Sequence, residues 1–162
     1  MRIIDLIVKL FIFDGIYSCF MNQLIEKLLE GVETGSPEWK ISHLVDIGDH
    51  IDFAYPKDED LRAIVQRLVN ISVKETDEKI QGTTFRIISK AYMQRVDLTE
   101  ISFEPLIAIL DKAGPGFICS VIYLLSMTYQ NKYIPVISEY STHPDKKVRQ
   151  EAESAIEYLT RQ

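Results

Sequence analysis

The chain has 162 residues, 24 acids against 18 bases for a net charge of −6, a hydrophobic share of 46% and a charged share of 26%. That length holds one domain with a single core and too little for two. The hydrophobic share excludes the composition of a disordered chain, and the acidic balance argues against nucleic acid as ligand, because neutralising phosphates takes clustered Lys and Arg.

Residues 1–20, MRIIDLIVKLFIFDGIYSCF, are apolar but broken by Asp5, Lys9 and Asp14. They lack the run of about 20 apolar residues that a membrane span needs, and the same charges spoil a signal-peptide core. Met21 begins MNQLIEKLLEGVE, an amphipathic segment. Residues 1–20 therefore read either as an extension ahead of the native start or as an extra helix, and 21–162 as the helical domain. Cys19 and Cys119 have no CxxC or CxxH companion, so a disulfide framework or structural zinc is not expected and a reducing, cytoplasmic setting fits best.

From Met21 onward the apolar spacing is helical. Leu24, Ile25, Leu28, Leu29 and Val32 form a first stripe, stopped at Thr34-Gly35. Ser36-Pro37-Glu38 opens a second helix, with Ser36 as N-cap and Pro37 in the first turn; its apolar set is Trp39, Ile41, Leu44, Val45, Ile47 and Ile51. After the loop Phe53-Ala54-Tyr55-Pro56, a third helix carries Leu61, Ile64, Val65, Leu68, Val69 and Ile71. Thr76-Asp77-Glu78 opens a fourth, with Ile80, Phe85, Ile87, Ile88, Ala91 and Tyr92. A fifth is predicted from Leu98 to Ala113, ended by Gly114-Pro115-Gly116. A sixth, Phe117 to Tyr129, is nearly all apolar and so is expected to be the most buried. A short seventh holds Tyr133 to Tyr140, with Pro135 in its first turn. His143-Pro144-Asp145 opens the eighth, with Val148, Ala152, Ala155, Ile156 and Leu159 on one face.

Short connections make successive helices antiparallel neighbours. Ile41, Ile80, Ile118 and Val148 occupy comparable places, at intervals of thirty-nine, thirty-eight and thirty residues. Within this pattern HPDKKVRQEAESAIEYL, His143 to Leu159, resembles the second half of a HEAT repeat: Asp145, Val148, Arg149, Ala152, Ala155 and Leu159 match one by one. Glu75–Ala91 and Ser36–Ile47 match more loosely, with Gln81 and Ser42 where the pattern has Arg. The resemblance implies an all-α, right-handed α-solenoid of about four HEAT-like antiparallel helix pairs in a single domain, and an interaction surface rather than an active site.

Charge is uneven. Residues 26–60 hold ten acids and three bases, while the remainder is nearly balanced. The cluster His43, Asp46, Asp49, His50 and Asp52 has the ingredients of chemistry, but the HExxH and His-Glu spacings of helical metal sites are missing; it reads as a partner-binding face or as a solvated helix surface. Glu38 joins it, and Trp39 is either an anchor beside it or a staple against the preceding helix. Tyr123 is a candidate because Tyr buries area at low entropy cost in interfaces.

Size, acidity and the HEAT likeness together resemble the immunity partners of secreted bacterial toxins, which bind and block one toxin domain. The expected function is binding without catalysis, cofactor or metal. The expected partner is a basic protein domain, with the chain a monomer or one half of a heterodimer, and nucleic acid and membrane are not expected partners. The other expectation is a scaffold or adaptor that binds an extended peptide, in which Tyr123 and Tyr129 matter more than the acids.

Overall fold

The structure, a computed structural model, describes residues 23–53, 58–93 and 100–161. The expectations for residues 1–20 and the alternative start at Met21, for the loop 54–56, and for a helix start at Leu98 lie outside these residues. Among the described residues there is no strand. Helix α1 covers 23–34, α2 Pro37–Phe53, α3 Asp58–Lys74, α4 Glu78–Met93, α5 Glu104–Ile107, α6 Pro115–Met127, α7 Ile134–Glu139 and α8 Lys146–Thr160, with 3₁₀ turns at Leu110–Lys112, Asn131–Tyr133 and Tyr140–Thr142. The chain is all-α over this range.

The helix starts follow from capping chemistry. Asp77 Oδ1 accepts from Lys79 N at 2.8 Å and Ile80 N at 3.1 Å, and Asp145 Oδ1 accepts from Lys147 N at 2.7 Å and Val148 N at 3.4 Å, satisfying amides that no carbonyl of the same helix can reach. The parallel continues one turn on. The Gln81 side-chain amide donates to the carbonyl of Glu75 at 2.6 Å, and Arg149 donates to that of His143 at 2.6 Å, each six residues back. Gln81 thus does for α4 what Arg149 does for α8. Pro37, Pro115 and Pro135 all stand in first turns, where their missing N–H is not needed.

The fifth helix departs from expectation. Instead of sixteen residues it is a single turn, Glu104–Ile107, followed by the 3₁₀ turn. Pro105 is the reason: inside a longer helix its ring would clash with the preceding turn and remove a hydrogen bond, so the helix starts at Glu104 and puts Pro105 in the first turn. Ile101 and Phe103 are still buried, on irregular backbone. The Gln66 side chain of α3 makes this possible, accepting from Ser102 N at 2.9 Å and donating to Ser102 O at 3.2 Å.

α2 packs on α4, α4 on α6 and α6 on α8, while α3 lies against α4 and α5, and α7 against α8. The core is the shared interior: Leu61, Ile64, Val65, Leu68, Val69 and Ile71 of α3 are all buried, as are Phe117, Ile118, Val121, Ile122, Leu124 and Leu125 of α6. Phe85 and Phe117 join α4 to α6 edge to face, with ring centroids 5.1 Å apart. Gly48 marks a close approach of α2 and α4, where a Cβ would come within 2.7 Å of Ile87 Cδ1. The buried hydroxyls of Ser72 and Thr84 donate to carbonyls of their own helices, so they bring no unmet polar demand into the core.

Polar ties between elements recur at a characteristic separation. Arg67 of α3 binds Glu26 and Glu33 of α1, Lys40 of α2 binds Glu75, Gln66 binds Ser102, and Lys90 of α4 reaches the Gly48 carbonyl; these pairs are 34 to 42 residues apart. Near the C-terminus the separation shortens to 29, for Tyr140 with Asp111 and Tyr158 with Tyr129.

Glu75 is the most connected of these groups. One oxygen accepts from Lys40 Nζ at 2.7 Å and the other from the amides of Thr76 and Asp77, at 2.8 and 3.0 Å. Burial by itself would raise its pKa, but Lys40 and the two amides outweigh it and hold the carboxyl below the ordinary 4.5. A depressed carboxylate stabilises the fold above its unfolded pKa, and that contribution disappears as pH falls through the lower folded value. Glu75→Gln is expected to cost about 1–2 kcal/mol at neutral pH and much less in acid below pH 4.5. Urea unfolding at the two pH values checks this, and an equal loss at both would show that the charge is not what matters.

Candidate functional site

Glu38, Asp46 and Asp49 are exposed on α2. Eleven residues, or three turns, separate Glu38 from Asp49, so the two lie on one line roughly 16 Å long. Ser42 and Val45 stand between them, Val45 at 43% exposure, with Asp46 just to the side. Asp46 and Asp49 have no cationic partner among the described residues.

Asp52 is used differently. It is half-buried and paired with Lys90 of α4 at 2.5 Å, so it ties two helices instead of extending the free stripe. Glu26 and Glu33 are engaged in the same way by Arg67. The hydrogen bond from Arg67 holds the Glu33 carboxyl below its usual range, against a smaller opposing effect of burial. The sequence count of acids over residues 26–60 therefore overstates the charge on offer, because bases from α3 and α4 fold back onto three of those carboxylates.

Trp39 is 63% exposed. Its ring stands 5.6 Å from the His43 imidazole, tilted by 59°. His43 is the group that meets α1: it lies over Gly31, where a Cβ would overlap its ring. His50 sits further along the same edge. In both imidazoles Nδ1 is buried without a hydrogen-bond partner. Both histidines are half-buried, whereas Asp46 and Asp49 on the same helix are exposed.

Tyr123 is on α6, with α4 between it and α2, and is 44% exposed. It belongs with a group that sequence reading only partly found. The Tyr129 ring lies tilted against those of Tyr158 and Tyr92, with centroids 5.4 and 6.2 Å away, and the Tyr158 hydroxyl donates to that of Tyr129 at 2.6 Å. Tyr129 has φ 57, a left-handed conformation that strains a residue with a side chain. It occupies the position after the α6 C-cap where glycine is usual, and the ring contacts on both sides hold it there. The 29-residue spacing to Tyr158 was the available signal.

Among the described residues no three His, Cys, Asp or Glu side chains converge as a metal site requires. Among them too, no helix is long and apolar enough to cross a membrane. No protein-family model, curated protein or solved structure matches the chain.

His50 supplies a pH signature. Burial lowers its pKa below the ordinary 6.5, with Asp60 opposing. The unfolded chain then takes up a proton that the folded chain resists, so stability falls as pH drops through 6.5. Replacing His50 by Gln is expected to reduce the drop in Tm between neutral pH and pH 5. If the two proteins lose equally, His50 does not carry the effect.

Proposed function

We propose that the chain is a protein-binding module of the immunity type, built as a right-handed α-solenoid of about four HEAT-like helix pairs, that docks a basic domain of a toxin protein on the acidic stripe of α2 and acts by occlusion without chemistry of its own. The repeat reading is supported by the matching caps at Asp77 and Asp145 with their Gln81 and Arg149 braces. It is supported also by the 34-to-42 and 29-residue separations of the ties between helices, near the thirty-nine, thirty-eight and thirty of the apolar pattern. In a stack of hairpins each unit touches its neighbour at about one period.

The observation that carries the binding reading is the exposed line from Glu38 through Asp46 to Asp49, whose last two carboxylates no base of the described chain offsets. Carboxylates already paired must be stripped of their partners before they can take a new one, whereas these are available at once. Held on one rigid helix, they attract a cationic surface during encounter and fix its register. Trp39, exposed at the start of the same helix, adds an apolar anchor of the kind that dominates interface energy.

A second reading, an adaptor for an extended peptide, is favoured by the exposure of Tyr123 on α6, Tyr129 just past its end and Tyr158 on α8.

The test uses a basic partner domain recovered with the chain from native lysate. Reversing Asp46 and Asp49 to Lys is expected to weaken binding by about tenfold or more, and the wild-type affinity is expected to fall steeply as salt rises. Affinity that ignores both salt and the double reversal would remove the acidic stripe from the interface.

A further inference from the structure

Two adjoining hollows of about 230 and 310 Å³ share Gly82, Phe85 and Ser120, and form one trough along the seam of α4 and α6 that reaches α8 at Glu151. Gly82 of α4 and Gly116 of α6 both line it. A Cβ added at either would meet nothing within 4 Å. Alanine is the better helix former at each position, so internal packing does not account for either glycine. With no side chain at either position, the trough is open there.

The far end of the trough is polar. Glu151 is half-buried and has no hydrogen-bond or ion-pair partner among the described residues, and burial raises its carboxyl pKa. Arg86, exposed on the α4 wall, is likewise unpaired there and does not reach Glu151. Tyr123 closes that end with a ring that is 44% exposed. A desolvated carboxylate beside an aromatic ring fits the ammonium or guanidinium of a side chain, which gains an ion pair and a cation–π contact together. Arg86 across the trough disfavours a second cation next to the first.

We infer that this trough binds an extended peptide segment of a partner protein, its backbone lying over Gly82 and Gly116 and one Lys or Arg side chain seated between Glu151 and Tyr123. The inference deepens the adaptor reading and does not need the acidic stripe of α2.

The probe is the peptide acetyl-Ala-Ala-Lys-Ala-Ala-amide, titrated into the full chain and followed by amide shifts in two-dimensional NMR. Saturable shifts are expected around Gly82, Ser120 and Glu151. Norleucine in place of the lysine, or Glu151→Gln in the protein, is expected to weaken binding about fivefold, and Gly82→Leu, which fills the trough, to abolish it. The Asp46→Lys, Asp49→Lys double variant is expected to bind the peptide as the wild type does, which separates this site from the α2 stripe. Gly82→Ala, expected to raise Tm, reports whether changes at that position fold. Absence of saturable shifts, equal binding of the norleucine peptide, or unchanged affinity in Glu151→Gln or in a folded Gly82→Leu overturns the inference.

Discussion

The longer helices bury their apolar faces largely against the helix two places along the chain, α2 against α4, α4 against α6 and α6 against α8. α4 shows this most clearly. Ile87 meets α2 at Gly48, Phe85 meets α6 at Phe117, and α3 lies against the same helix. The succession α2, α4, α6, α8 follows from that burial, and so does the recurrence of ties such as Lys40 to Glu75 and Arg67 to Glu33. Burying a Leu or Ile fully contributes roughly 1.5–3 kcal/mol, more than most of the ion pairs in the molecule, so the apolar faces set the arrangement and the polar ties fix its register.

The same arrangement sorts the carboxylates. On the edge of α2 that faces α4, Asp52 meets Lys90; on α1, Glu26 and Glu33 meet Arg67. On the outward line of α2, Asp46 and Asp49 meet no base of the described chain. Carboxylates close in sequence thereby end in two environments, and the difference comes from which neighbouring helix each one faces. The tyrosines divide similarly: Tyr133 and Tyr140 are buried, whereas Tyr123 on α6, Tyr129 just past its end and Tyr158 on α8 are exposed.

Where reading the sequence fell short, a local rule met a non-local partner. The long fifth helix rests on the apolar spacing of Ile101, Phe103, Leu106, Ile107, Ile109 and Leu110, of which Ile107 and Ile109 are half-buried and the other four buried. The spacing was right about burial and wrong about backbone, since Pro105 forbids the helix and Gln66, from α3, supplies the hydrogen bonds that an irregular segment needs. Trp39 and Val45 were counted with the apolar face of α2 on residue type, yet both are exposed because α2 already buries Leu44, Ile47 and Ile51.

The order of amino acids alone determined the helical class, most helix starts and the core faces of α3, α4, α6 and α8, because period, caps and first-turn prolines act within a few residues of one another. It also held the apolar intervals of thirty-nine, thirty-eight and thirty residues and the candidates on α2. Only the tertiary structure decided which acids stay free, that His43 and His50 turn inward, and that Gly82, Tyr123 and Glu151 meet along one trough. Those outcomes depend on contacts between residues tens of positions apart, and such contacts exist only once the helices are packed.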